Sequence, residues 1–113
     1  MKRLIVQMRK FSETLDQLIS ARKVKLDDFE DFEKQLVENP EQGDVIQGTG
    51  SLRKTRLKST SKGKSGGFRV CYCDIPEKER LFLIAMFAKN EKENLSKEEV
   101  KIFKVLVDRL RKE

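Results

Sequence analysis

The sequence predicts an α+β fold in which helices pack on a small, twisted, mainly antiparallel sheet, in the order βααβββα. Three observations predict it: one short apolar strand opens the chain, two stretches with helical apolar spacing follow, and three strand-like segments then come in succession with short joins. At 113 residues the chain supports one hydrophobic core, so residues 1–113 are read as a single domain without internal repeats.

The first strand is Leu4-Ile5-Val6, within residues 3–8. Phe11, Leu15, Leu18 and Ile19 recur at helical spacing behind Ser12 as the expected cap. A second helix is expected over residues 27–39, with Phe29, Phe32 and Leu36 on one face, Asp27 and Glu30 in capping-box spacing, and Asn39-Pro40 as the stop. Gly43, Gly48 and Gly50 mark residues 40–50 as a loop. Residues 52–58 alternate like a strand, residues 59–67 read as a long polar hairpin loop, and residues 68–74 alternate again. Ile75-Pro76-Glu77-Lys78-Glu79 makes the next turn, with Pro76 outside the ladder. Residues 81–88 are apolar throughout, as in a central strand covered on both faces. Ser96 and Glu99 form a capping box ahead of the stripe Val100, Phe103, Leu106, Val107 and Leu110, which predicts a C-terminal helix.

Composition narrows the function. Charged residues make up 39% of the chain and the net charge is +6, which favours an anionic partner such as nucleic acid or an acidic protein. The charge is also segregated. Residues 51–70 carry Arg53, Lys54, Arg56, Lys58, Lys62, Lys64 and Arg69 and no carboxylate, whereas residues 26–44 carry eight acids against one lysine. The chain lacks an apolar run of membrane-spanning length and a signal-peptide core, so a cytoplasmic location without membrane contact is expected. Cys71 and Cys73, two apart in a strand, point to one face and read as reduced strand residues rather than a bridge.

On a strand, Lys54, Arg56 and Lys58 share one face about 6.8 Å apart, near the phosphate spacing of an extended single strand. A merely solvated sheet face is the plain alternative. Gly63, Gly66 and Gly67 let backbone amides approach an anion closely. The chain has no histidine, which removes the commonest acid/base group and metal ligand together. The acids of residues 27–31 read as a solvated helix face, and the glycines near Gly63 do not complete a phosphate-loop or dinucleotide fingerprint. No cofactor and no metal are expected. The remaining catalytic candidates are lysines, arginines and the single Tyr72. A lysine crowded by cations is shifted toward general-base use, and RNA brings its own nucleophile in the 2′-hydroxyl.

Three motifs in order carry a family resemblance: Gly43-Asp44-Val45-Ile46-Gln47-Gly48-Thr49-Gly50-Ser51-Leu52-Arg53-Lys54-Thr55-Arg56, then Gly63-Lys64-Ser65-Gly66-Gly67-Phe68-Arg69-Val70, then Phe87-Ala88-Lys89-Asn90-Glu91. Over residues 36–100 the chain resembles the HigB branch of the RelE/ParE superfamily of toxins from type II toxin-antitoxin systems. The resemblance implies a RelE-like fold and a ribosome-dependent, metal-independent endoribonuclease, an mRNA interferase that inhibits translation. It implies Lys54, Arg56, Arg69 and Lys89 as the catalytic group, and Arg53, Lys58, Lys62, Lys64, Tyr72 and Phe87 as RNA or ribosome contacts. The implied partners are mRNA, the ribosome and a small helix-turn-helix antitoxin, through which alone operator DNA would be bound.

The chain departs from the family pattern at three places. Phe87 stands where many relatives have tyrosine, and the C-terminal segment has no tyrosine or histidine. The general acid therefore stays open between Tyr72, a lysine and water, beside the alternative that leaving-group protonation contributes little. Ser51 replaces a commoner glycine. Two other readings stand beside the nuclease: a ParE-like toxin that inhibits gyrase, and a non-catalytic RNA- or ribosome-binding module.

Overall fold

The computed structural model describes residues 2–58, 67–89 and 94–113. Of the hairpin loop expected over residues 59–67, residues 59–66, with Lys62, Gly63, Lys64 and Gly66, lie outside the described residues, as do Asn90 and Glu91. In chain order the elements are β1 (Leu4–Gln7), α1 (Arg9–Ser20), α2 (Leu26–Glu38), β2 (Asp44–Val45), β3 (Leu52–Leu57), β4 (Phe68–Ile75), a 3-10 turn (Pro76–Lys78), β5 (Arg80–Ala88) and α3 (Lys97–Lys112). The α+β fold and the succession of helices and strands agree with the expected order, apart from one added strand.

That strand is β2, inside the segment expected to be only a loop. It is two residues long and antiparallel to β3, with Asp44 opposite Lys54 and Val45 opposite Arg53, too short to show any alternation in sequence. The sheet runs β1-β5-β4-β3-β2; β1 and β5 are parallel and the other pairs antiparallel. β4 is therefore the middle strand, and β5 is interior between β1 and β4.

Two helix starts differ from expectation. Ser12 is not a cap: the Met8 amide donates to Leu83 O at 2.9 Å, so the chain leaves the sheet there and α1 begins at once, with Met8 as N-cap. Ser12 Oγ instead donates to Gln7 Oε1 at 2.8 Å. The N-cap of α2 is Lys25, whose carbonyl accepts from Phe29 N, so Asp27 and Glu30 form no capping box. Asp27 and Asp28 still lie in the first turn, where carboxylates favour the helix dipole. The Ser96–Glu99 box ahead of α3 is present as predicted.

Two cores lie on opposite faces of the sheet. On one, Phe11 and Leu15 of α1 and Phe29, Phe32 and Leu36 of α2 pack on Leu57, Phe68, Val70, Tyr72, Leu81, Leu83 and Met86. The rings of Phe11, Phe29 and Phe32 sit in tilted pairs 6.0 and 5.9 Å apart, a favourable aromatic spacing. On the other, Val107 and Leu110 of α3 cover Leu52, Cys71, Cys73, Ile75, Phe82 and Ile84. Both cysteines are free and buried on this face. Burial pushes the Cys73 thiol up, against a smaller opposing effect of its hydrogen bond with Ser51. Arg3 Nε meets Asp74 Oδ1 at 2.7 Å, tying the residue before β1 to β4.

β5 is apolar at every position of 81–88 because both faces are covered, and it carries one irregularity. Tyr72 pairs with Leu83 but Cys71 pairs with Ala85, so Ile84 is an extra residue, a β-bulge. Ile84 and Ala85 consequently both face the α3 side, and Phe87 follows them there while Met86 and Ala88 face α1 and α2.

Leu83 is fully buried at the centre of the larger core. Leu83→Ala is expected to lower the unfolding free energy by about 2–5 kcal/mol, through lost burial and the cavity left behind, as measured by urea denaturation.

Candidate functional site

The site follows from the pairing of β3 with β4. Along β3, Leu52, Lys54 and Arg56 point to the α3 side, while Arg53, Thr55 and Leu57 point to the α1/α2 side. Lys54 pairs with Cys71, and Arg56 pairs directly with Arg69. Arg69 in turn pairs with Phe87 of β5. The register thus brings Lys54, Arg56, Arg69 and Phe87 to one face, a point that alternation within single strands leaves undecided. Arg56 is exposed and the other three are half-buried.

Lys89 follows β5 by one residue, and its amide donates to Gly67 O at 3.2 Å, holding it beside the start of β4. Lys58 is exposed just beyond β3. The first part of the face belongs to the hydrophobic core: Leu52, Cys71 and Cys73 lie under α3. The cations occupy the part beyond the beginning of that helix. The direct pairing of Arg56 with Arg69 concentrates positive charge on this face.

The glycine-rich motif before β3 has a structural reason at three positions. A Cβ at Gly43 would come 2.7 Å from the Lys54 carbonyl oxygen, so only glycine lets this segment lie against β3 there. Gly48 and Gly50 have φ of +84° and +88°, the left-handed region, where they pass beneath Val100 and Val107 of α3. Between them Thr49 is buried, its Oγ1 donating to Ile46 O at 2.6 Å and accepting from Leu52 N at 3.2 Å.

Two expected contact residues lie elsewhere. Tyr72 is 0% exposed, in the core beneath α1 and α2. Its hydroxyl donates to Pro40 O at 2.8 Å and accepts from Gly43 N at 2.9 Å. The ring is enclosed and the hydroxyl is engaged in both hydrogen bonds, apart from the face that carries Lys54 and Arg56. Arg53 projects to the same side and donates to Gly43 O at 2.6 Å and Glu41 O at 3.2 Å, with Glu41 as a carboxylate neighbour at 3.7 Å. Arg53 and Tyr72 clamp residues 40–43 and so fix the loop behind Lys54. One-residue alternation from Lys54 places Arg53 on the opposite face, a signal already present in the sequence.

Asn94 is a residue that sequence reasoning missed: its Oδ1 accepts from Lys54 Nζ at 3.2 Å. Nothing in the spacing of a polar residue ahead of a helix announces that contact. A groove of about 680 Å³ between α2 and β1 is a different surface, rimmed by Glu30, Glu33 and Glu38. A smaller cavity of about 340 Å³ brings Arg56 and Lys58 beside Asp28 and Asp31 of α2. Among the described residues no three His, Cys, Asp or Glu side chains are grouped to hold a metal ion. No helix among them is long and apolar enough to cross a membrane.

A five-stranded mixed sheet with helices on both faces, and a cluster of lysine and arginine at one end of its middle strands, defines a small α+β protein with an anion-attracting sheet face. The family described as the RelE toxin of the RelE/RelB toxin-antitoxin system matches residues 8–112. The chain belongs to the RelE toxin family.

Burial pushes the Tyr72 hydroxyl up from its ordinary value, outweighing the opposing Gly43 hydrogen bond and the nearby Arg53 charge. Because the folded value is the higher one, this contribution to stability is complete below the unfolded value, about pH 10, and is lost as pH rises through the folded value. Tyr72→Phe is expected to cost about 1–3 kcal/mol at neutral pH, since Gly43 N and Pro40 O lose their partner. The gap between the two proteins should narrow above about pH 10, measured by urea denaturation across pH.

Proposed function

We propose that this RelE-family toxin is a ribosome-dependent, metal-independent endoribonuclease of the HigB branch that cuts mRNA and so blocks translation. The observation that carries the proposal is the β3/β4 register, which groups Lys54, Arg56 and Arg69 on one sheet face. In this reading Lys54, as the free amine, takes the proton of the 2′-hydroxyl. The freed oxygen attacks the adjacent phosphorus, the bond to the 5′-oxygen breaks, and a 2′,3′-cyclic phosphate and a 5′-hydroxyl end result.

Arg56 and Arg69 hold the non-bridging oxygens and offset charge on the phosphorane, the electrostatic work expected of such donors. Lys89, beside β4, or a water protonates the departing 5′-oxygen. Phe87, half-buried next to Arg69, offers a ring to a nucleobase, while Lys58, Lys62 and Lys64 serve as docking contacts for RNA. A cognate antitoxin, a small helix-turn-helix protein, would hold the toxin inactive and carry it to operator DNA.

The test is ribosome-dependent cleavage of a defined mRNA. Lys54→Ala and Arg69→Ala are each expected to lower the cleavage rate by about 100-fold or more, with the circular dichroism spectrum and antitoxin binding unchanged. Wild-type-like cutting by both variants would remove these residues from the site. A wild-type chain that leaves mRNA intact but blocks gyrase supercoiling would be a ParE-like toxin. One that binds ribosomes with steep salt dependence, yet cuts nothing and spares gyrase, would be a binding module.

A further inference from the structure

Lys54 is approached from outside the sheet by a residue 40 positions away in sequence, Asn94, whose Oδ1 accepts from Lys54 Nζ at 3.2 Å. The chain that follows this contact is anchored. Leu95, the next residue, packs half-buried into the core beneath α3. Ser96, one further on, closes the capping box: Ser96 N donates to Glu99 Oε1 at 2.9 Å and Glu99 N to Ser96 Oγ at 3.1 Å. The start of α3 is thereby fixed to the sheet face that carries the cations, and it presents an amide to the lysine.

We infer that Asn94 is a positioning residue for Lys54, an inference that rests on the endoribonuclease reading above. A free lysine amine has two N–H groups and one lone pair. Giving one N–H to a neutral acceptor restricts the flexible stem and turns the lone pair away from that acceptor, toward the open face where the 2′-hydroxyl would lie. An amide suits this purpose and a carboxylate does not, because a negative charge at that distance favours the ammonium form, which has no lone pair. Among the described residues, Asp44 is opposite Lys54 on β2, Arg56 follows it along β3 and Arg69 stands opposite Arg56 on β4, while α3 carries Glu98 and Glu99 in its first turn, the latter engaged in the capping box. These stay constant when only position 94 is changed.

The experiment compares single-turnover, ribosome-dependent mRNA cleavage by the wild-type chain, Asn94→Ala and Asn94→Asp across pH. Asn94→Ala is expected to cut about tenfold more slowly at saturating ribosome–mRNA complex, with an unchanged half-saturation point. Asn94→Asp is expected to move the ascending limb of the pH profile up by about half a pH unit or more. As a readout independent of cleavage, 15N relaxation of the Lys54 side chain should show greater mobility in Asn94→Ala. Variants that cut like the wild type with an unmoved pH profile overturn the inference. So does a loss in Asn94→Ala matched by an equal loss of thermal stability with no change in Lys54 mobility, the result of a capping role alone. A wild-type chain that cuts no mRNA is a separate outcome, which overturns the endoribonuclease reading itself.

Discussion

The antiparallel register of β3 on β4 is the constraint on which the rest of the structure depends. A slip of one residue would send every β3 side chain to the opposite face, exchanging Lys54 and Arg56 for Arg53 and Thr55. Two buried pairs prevent it. Leu52 meets Cys73 in the core under α3, and Leu57 meets Phe68 in the core under α1 and α2. The strand is thus anchored at its two ends on two different faces, and a one-residue slip would take both leucines out of their cores.

The two faces of β3 divide the labour. On the α1/α2 side, Arg53 and the Tyr72 hydroxyl hold residues 40–43, and Gly43 lies against the Lys54 carbonyl at a distance that admits no side chain. On the α3 side the same strand presents Lys54 and Arg56. The backbone that carries the cations is therefore supported from behind by satisfied polar groups, an arrangement that keeps a site rigid without using its reactive groups for the purpose.

Much of this was legible in the sequence. The apolar run 81–88, the α2 face of Phe29, Phe32 and Leu36 and the Ser96–Glu99 box each obey a local period or a local hydrogen bond, and local rules are what sequence displays. The cationic cluster was legible as a composition, and its division between faces followed from alternation along β3. What escaped were features set by contacts distant in the chain. β2 is too short for a pattern, the start of α1 is fixed by Leu83 in another strand, and the Tyr72 hydroxyl is committed by Pro40 and Gly43. Shared facing of Lys54 and Arg69 needed the register, which no count along the sequence between the two strands supplies.

The extra residue Ile84 in β5 acts as a phase shifter. Before it, even-numbered Phe82 faces α3; after it, odd-numbered Phe87 does, which is how an aromatic ring comes to stand beside Arg69. Loss of the single codon for Ile84 would remove the bulge and leave a regular strand in which Leu83 and Met86 still face α1 and α2 and Ala85 and Phe87 still face α3, with one buried apolar side chain the less. The bulge thus gives the strand a place where its length can change without turning Phe87 away from Arg69, whereas loss of Met86 would set Phe87 opposite Val70 and face it toward α1 and α2.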